Sequence, residues 1–544
     1  MDFSVLVGGA AGQGMDTFSH LFEKTLKRCG FHVYAYSDYM SRIRGGHNFF
    51  YIRFSDEKIY SFSEKVHVIF AMDKETAEIH KSKLREDGFV LSEDLIADIL
   101  KKLKNPKVIN TVGLGYILKY FGLPMDVAVQ LIRQEFNENI IDINLKALEE
   151  GYNLANSRYS LSTSEDENIL INGNQAVGLG AVAAGCKFYC GYPMTPSTGV
   201  LNFMATHSED FGIAIDQVED EVAALNMALG ASYAGVRAMT GSSGGGFALM
   251  VEALSLAGML EVPVVLINVQ RPGPATGFPT RTEQADLRFM IHAGHGEFPR
   301  MVIALRDVED AFYQTARAFN IAEKYQIPVL LVSDQHLADS VTTVKPFDFT
   351  KIKIERYISG SEAVTDEEYK RYKFTESGIS PRILPGKIPG QVVLVDSDEH
   401  DEWGHITESA DIRTKMVDKR LRKFDLLKEE IQEPWFIGKD NPENLIVCWG
   451  STYGAVKEAV DELIEEGYSI GALVFGDIWP FPTKGLLELG KNAKRIIDVE
   501  QNATAQLDSL IREEALMKST DKILKYDGRP FSGEEVYKRV KEVL

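Results

Sequence analysis

The segment Gly191-Tyr192-Pro193-Met194-Thr195-Pro196-Ser197-Thr198 sets two prolines among hydroxyl side chains, after the apolar strand-like run Cys186 to Cys190 and before an apolar helical run. Proline fixes φ and withdraws a backbone donor, so Pro193 and Pro196 hold Thr195 in a preset direction with little ordering cost. Taken alone, these residues read as a strand-to-helix turn capped by Ser197 or Thr198. Three further groups follow. Glu219, Asp220 and Glu221 open a helix that runs Val222 to Tyr233, where carboxylates are ordinarily explained by the helix dipole. The loop Ser242-Ser243-Gly244-Gly245-Gly246 follows a strand at Val236 to Thr240, and its residues can cap the next helix and let a ring approach the backbone, or simply pack. Arg271 ends a strand at Pro263 to Val269 and is stiffened by Pro272 and Pro274. Its fork suits a substrate carboxylate held bidentately, or an ion pair with Glu283 or Asp286.

In order, spacing and content these groups resemble the alpha subunit of 2-oxoacid:ferredoxin oxidoreductases, thiamine diphosphate enzymes related to pyruvate:ferredoxin oxidoreductase. Met194 stands where that family more often has isoleucine. The resemblance covers nearly the whole chain, because the N-terminal part is similar to the family's gamma subunit fused in front of alpha. It implies a role for each residue. Glu221, with Gly230 about two and a half turns later, has the layout of the activating glutamate that hydrogen-bonds the pyrimidine N1′ of thiamine diphosphate, and Glu219 does not. Tyr192, Pro193, Ser243 and Gly244 become cofactor contacts, and Thr195 and Arg271 become ligands of the 2-oxoacid.

Other parts of that machinery are missing. Thiamine enzymes hold the diphosphate through magnesium on a Gly-Asp-Gly segment followed by asparagine, and the nearest approach, Gly476-Asp477-Ile478, has the wrong third residue. The four cysteines, at 29, 186, 190 and 448, lack the spacing of a cluster site. The resemblance therefore implies a beta subunit that carries Mg2+ and the 4Fe-4S cluster and shares the thiamine diphosphate, with ferredoxin as electron acceptor and a dimer of gamma-alpha/beta pairs as the assembly.

In the N-terminal part, Gly8 to Gly14 lies between a strand and a helix but matches neither nucleotide fingerprint: Met15 and Asp16 replace the P-loop Lys-Ser/Thr, and Thr17 replaces the third dinucleotide glycine. A tight packing turn is the simpler reading. Arg42 and Arg44, in Ser41-Arg42-Ile43-Arg44-Gly45-Gly46-His47, suit phosphate, and the resemblance offers those of coenzyme A. A salt-bridged loop at a subunit contact explains them equally well, and His47 reads as structural.

Several elements must position these groups. A chain of 544 residues needs about three cores. Alternating strands and helices predict three α/β domains, with parallel sheets covered by helices. They are a gamma-type domain over 1–156, a linker over 157–171, a thiamine diphosphate-binding fold of pyrimidine type over 172–345, an irregular charged segment over 346–440, and a transketolase C-terminal-like domain over 441–544. The net charge of -20 argues against a nucleic-acid binder and leaves room for local basic clefts that take anionic substrates. The start Met1-Asp2-Phe3-Ser4 has no signal-peptide pattern, and the apolar run Gly244 to Val269 is broken by Glu252, Glu261 and Pro263, so no membrane span and a cytoplasmic location are expected.

The resulting expectation is oxidative decarboxylation of a 2-oxoacid, with 2-oxoglutarate favoured over pyruvate or a branched-chain acid, giving acyl-coenzyme A and reduced ferredoxin in anaerobic metabolism. The rivals are a non-catalytic nucleotide- or coenzyme A-binding subunit and a self-contained thiamine decarboxylase.

Overall fold

The computed structural model describes residues 1–41, 46–365 and 368–544. It divides into two compact units. The first comprises Met1–Asn172, Asp339–Pro346 and Ser532–Glu535. Its strands are β1 (Asp2–Ala10), β2 (His32–Asp38), β3 (His47–Ser55), β4 (Val66–Ala71), β5 (Leu84–Ser92) and β6 (Ile169–Asn172). With Val341–Val344 they form a seven-stranded sheet in the order β5-β4-β1-β3-β2-(341–344)-β6. β6 begins inside the segment read as a linker and ends one residue beyond it.

This sheet is mixed, which corrects the expectation of a parallel one. β1 runs parallel to β4 but antiparallel to β3, and β2 is antiparallel to β3. A parallel return needs a crossover of a dozen or more residues, and the connection between Asp38 and His47 is too short for one. That connection is therefore not the ligand loop of a parallel sheet. Arg42 and Arg44 lie outside the described residues, and His47 starts β3. The Gly8–Gly14 loop is packed. A Cβ on Gly8 would sit 2.7 Å from Thr76 Cγ2 and one on Gly9 would sit 2.4 Å from Gln13 Oε1, while Asn110 Nδ2 donates to Gly14 O at 3.3 Å. The core joins Val5, Val7, Phe18, Phe22, Phe54, Phe70 and Phe121.

The second unit comprises Gly173–Ala338, Phe347–Phe531 and Val536–Leu544. β7 (Phe188–Gly191), β8 (Ala214–Gln217), β9 (Ala238–Ser242), β10 (Val264–Gln270), β11 (Met301–Ala304) and β12 (Pro328–Asp334) form a sheet ordered β11-β12-β10-β9-β7-β8. All five pairings are parallel, and an edge strand, Asp477–Trp479, adds antiparallel to β11. A second, five-stranded sheet is built from Trp435–Gly438, Asn444–Trp449, Ile470–Phe475, Arg495–Glu500 and Asp521–Leu524. One cluster of buried side chains, including Leu225, Phe247, Leu266, Trp449, Phe475 and Leu507, runs across both sheets.

The charged segment after Val344 is not irregular throughout. It holds a helix, Ala410–Leu427, whose sequence ADIRTKMVDKRLRKFDLL lacks an apolar stripe and so carries no periodic signal. Lys419 and Lys423 of this helix, each about 1% exposed, converge on the carboxylate of Glu261, which is equally buried. Arg371 adds hydrogen bonds to the carbonyls of Glu261 and Leu260. Burial lowers the Lys419 ammonium to about 7, against the pull of Glu261. All four cysteines are buried and unpaired. Among the described residues, no helix is long and apolar enough to cross a membrane.

Candidate active site

β8, β7, β9 and β10 are successive parallel neighbours, so the residues that follow them meet at one edge of the sheet, where open α/β sheets bind ligands. That edge receives the Tyr192–Ser197 turn, Asp220 and Glu221, the Ser243–Gly246 loop and Arg271. Glu221 is the first residue of helix Glu221–Tyr233, and the Asp220 side chain caps this helix by accepting from Ala223 N at 2.7 Å. The side chain of Glu221 is therefore free to point inward. The residue is 3% exposed, and its Oε1 accepts from Ser242 Oγ at 3.2 Å. Oε2 makes no hydrogen bond among the described residues. Glu219, two positions earlier, is exposed.

Ser243 holds the N-cap position of helix Gly244–Leu260, but its hydroxyl makes no cap bond and is buried with no partner. Gly246 lies so close to the carboxylate that a Cβ there would meet Ser242 Oγ at 2.0 Å and Glu221 Oε1 at 2.2 Å. An unpaired serine hydroxyl, a free carboxylate oxygen and a glycine-lined approach fit one edge of an aminopyrimidine ring. Thiamine diphosphate fits these residues at its pyrimidine end only.

Arg271 is half-buried, and Nη1 donates to the Thr195 carbonyl at 2.7 Å. Desolvation lowers its pKa. Among the described residues it makes no ion pair with Glu283 or Asp286, the carboxylate partners weighed in the sequence, and its remaining donors find no partner there. The Thr195–Pro196 bond is cis, and the Thr195 hydroxyl makes no hydrogen bond among the described residues. Tyr192 is exposed at 41%.

Behind this edge, sequence reasoning named Asp286 and Glu283 only as partners for Arg271 and did not single out Asn268 or Gln270. Asn268 Nδ2 donates to Asp286 Oδ2 at 3.0 Å, and Asp286 N donates to Gln270 Oε1 at 2.8 Å. Burial raises the Asp286 carboxyl, and burial together with Asp286 raises the Glu283 carboxyl to about 7. A signal did exist: Asn268 and Gln270 are polar residues in the otherwise apolar, fully buried strand VVLINVQ.

A cavity of about 460 Å³ lies elsewhere, lined by Tyr313, Arg317, Lys324, Lys351, Lys353 and Glu430 among others, and includes none of the candidate residues. Asp477, in the nearest approach to a diphosphate motif, is engaged otherwise. Both of its oxygens accept from Arg317, at 2.7 and 2.8 Å, and it also accepts from Gln432 N.

Comparison with known proteins decides the assignment. The family model described as pyruvate flavodoxin/ferredoxin oxidoreductase, thiamine diphosphate-binding, matches residues 179–419. Pyruvate ferredoxin/flavodoxin oxidoreductase matches 4–154, and pyruvate:ferredoxin oxidoreductase core domain II matches 442–536. A 2-oxoacid:ferredoxin oxidoreductase subunit alpha from Sulfolobus sp is 33% identical over 100% of this chain and 97% of that protein.

The chain belongs to the 2-oxoacid:ferredoxin oxidoreductase alpha subunits.

A 2-oxoglutarate synthase subunit KorA from Archaeoglobus fulgidus is 35% identical over 61% of this chain and 88% of that protein. The solved 2-oxoglutarate:ferredoxin oxidoreductase from Magnetococcus marinus, with 2-oxoglutarate, coenzyme A and succinyl-CoA bound, superposes with TM-score 0.92 at 32% identity over 99% of each chain. The protein is thus an oxidoreductase subunit of α/β fold with a thiamine diphosphate-binding domain, as its sequence led us to expect.

Proposed function

We propose that this chain is a fused gamma-alpha subunit that works with a beta subunit to convert a 2-oxoacid, coenzyme A and oxidised ferredoxin into acyl-coenzyme A, CO2 and reduced ferredoxin, with 2-oxoglutarate as the preferred acid. The observation that carries the reading is the buried Glu221 carboxylate, with one oxygen on Ser242 and the other uncommitted beside a partnerless Ser243. Thiamine diphosphate, when bound, supplies the nucleophilic carbon and the electron sink for decarboxylation. In this reading Glu221 Oε2 takes the hydrogen bond of the pyrimidine N1′, and Ser243 and Gly244 lie along the ring with Tyr192 and Pro193 at its margin. Arg271 turns its uncommitted donors to the substrate carboxylate and Thr195 adds its hydroxyl, in a site whose low dielectric favours loss of that charge as CO2. The diphosphate, Mg2+ and a 4Fe-4S cluster fall to the beta subunit, because Asp477 is held in an ion pair and the cysteines are scattered through the core.

The 2-oxoglutarate preference is supported by the solved relative with that acid bound and by the KorA relatives. Arg42 and Arg44 are proposed as contacts for coenzyme A phosphates on the strength of their charge alone. Co-purification with the partner and a dye-reduction assay across 2-oxoglutarate, pyruvate and branched-chain 2-oxoacids tests this. The highest kcat/KM should fall on 2-oxoglutarate. No 2-oxoacid-dependent reduction in the reconstituted complex would leave the chain a non-catalytic binding subunit.

A further inference from the structure

The first turn of helix Gly244–Leu260 is gripped from two sides. Gly246 abuts Ser242 and Glu221. On the other side, a Cβ on Gly244 would lie 2.4 Å from Asp286 Oδ2 and 3.2 Å from Oδ1, so the carboxylate occupies the place of a side chain. Gly244 does not have a positive φ, so close approach alone demands glycine there.

Asp286 is itself fixed. Asn268, which holds its carboxylate, stands opposite Ser242 in the β9–β10 register, and Gln270 holds its backbone nitrogen. Two residues earlier, Gln284 is fully buried and commits all of its polar groups to the ends of two strands of the second sheet and the residues just after them. Its Nε2 donates to Trp449 O at 2.9 Å, and its Oε1 accepts from Thr452 Oγ1 at 3.0 Å and Gln501 N at 3.2 Å. Its backbone N donates to Gln501 O at 2.7 Å, and its O accepts from Asn502 Nδ2 at 3.2 Å. A strap tied down this completely gives Asp286 a fixed place from which to press on Gly244.

We propose that Asp286 is a positioning residue for the cofactor: acting through Gly244, it sets where Ser243 and the start of the helix meet the pyrimidine ring. It touches no reacting atom. Without it, the first turn of the helix relaxes into the vacated space and carries with it Ser242, the donor to Glu221. The proposal rests on the functional reading above.

The test is calorimetric titration of thiamine diphosphate into the complex assembled with its beta subunit. Asp286→Ala should weaken binding about tenfold, as losses of orienting groups behind a site do. Asp286→Asn, which keeps shape and an acceptor oxygen, should stay within about threefold of the native complex. Gly244→Ala should also weaken binding, and the double variant Gly244→Ala/Asp286→Ala should bind no worse than the weaker single, because alanine at 286 clears the space that the new methyl needs. Should Asp286→Ala not assemble, Asp286→Ser, whose hydroxyl is too short to reach Gly244, carries the same expectation. Native affinity in Asp286→Ala or Asp286→Ser, or penalties that multiply in the double variant, overturn the proposal while the functional reading stands. A native complex that binds no thiamine diphosphate, or a Glu221→Gln complex with undiminished turnover, overturns that reading and this proposal together.

Discussion

Arg271 donates to the carbonyl of Thr195, so the two residues proposed to hold one substrate carboxylate are joined through the backbone before any substrate arrives. The turn after β7 and the end of β10 therefore move as one piece, and part of the guanidinium fork is spent on that joint.

Arg271→Ala should lower kcat/KM for the 2-oxoacid by tens to thousands of fold, the consequence of about 2 to 5 kcal/mol for an unpaired buried charge. Arg271→Lys should keep the charge yet lose the fork, and so raise KM more than it changes cofactor affinity. Thr195→Val removes one neutral hydrogen bond and should cost roughly two- to twelvefold, or about 0.5 to 1.5 kcal/mol. A sharp fall in melting temperature with unchanged kcat/KM in Arg271→Ala would reduce the residue to a brace for the turn.

Glu221→Gln should leave the melting temperature near native and nearly abolish turnover, since the amide keeps the bond from Ser242 but not the charge. Glu219 is exposed, and Glu219→Gln should change little. Hydrogen exchange at the cofactor C2 in the assembled complex is the direct readout: an unaltered exchange rate in Glu221→Gln would remove that residue from cofactor activation.

Gly246→Ala places a methyl within 2.0 Å of Ser242 Oγ and 2.2 Å of Glu221 Oε1. Overpacking of this kind costs about 1 to 3 kcal/mol, and here the strain falls on the carboxylate itself. Turnover should drop at least as far as in Thr195→Val. An active, normally stable Gly246→Ala complex would mean that the approach to Glu221 has slack.

In the first unit, Glu23 is fully buried on helix Met15–Arg28, and burial raises its carboxyl to about 7 despite the hydrogen bond donated by Ser19. The unfolded carboxyl titrates near 4.3, so between about pH 4 and 7 the folded state binds the extra proton and stability falls as pH rises. Above pH 7 the full penalty, on the order of 4 kcal/mol, applies. Glu23→Gln should raise stability at pH 8 and change it little at pH 4, as read from urea unfolding at the two pH values. Equal effects at both would assign Glu23 an ordinary carboxyl.

Much of this molecule was legible because its strands are short apolar runs bounded by breakers. Val66 to Ala71 and Ile470 to Phe475 begin and end where those runs do. β3 was hidden because His47-Asn48-Phe49-Phe50 mixes polar and aromatic residues after a Gly pair, and its pairing partner is decided by connection length. Ala410–Leu427 was hidden because Lys419, Arg420 and Lys423 fill the middle of its buried face between Met416 and Leu427, so no apolar period reveals it. At the candidate site, Glu221, Ser243, Gly244, Thr195 and Arg271 were grouped from motif spacing, and the structure gathers them at one sheet edge. Asp286 was named only as a partner for Arg271, and its pairing with Asn268 was missed, since that pairing spans a loop and depends on tertiary packing.

Glu261 sits far in the chain from Lys419 and Lys423, one helical turn apart on Ala410–Leu427, yet the three share one dry pocket, where two ammonium groups face a single carboxylate. Removing Glu261 strands two buried ammonium groups, removing either lysine leaves a balanced pair, and exchanging the set for apolar residues of similar volume is tolerable. The three positions are therefore unequal in tolerance: position 261 can turn apolar without heavy cost only when 419 and 423 turn apolar with it, whereas either lysine can be lost while the other still answers the carboxylate.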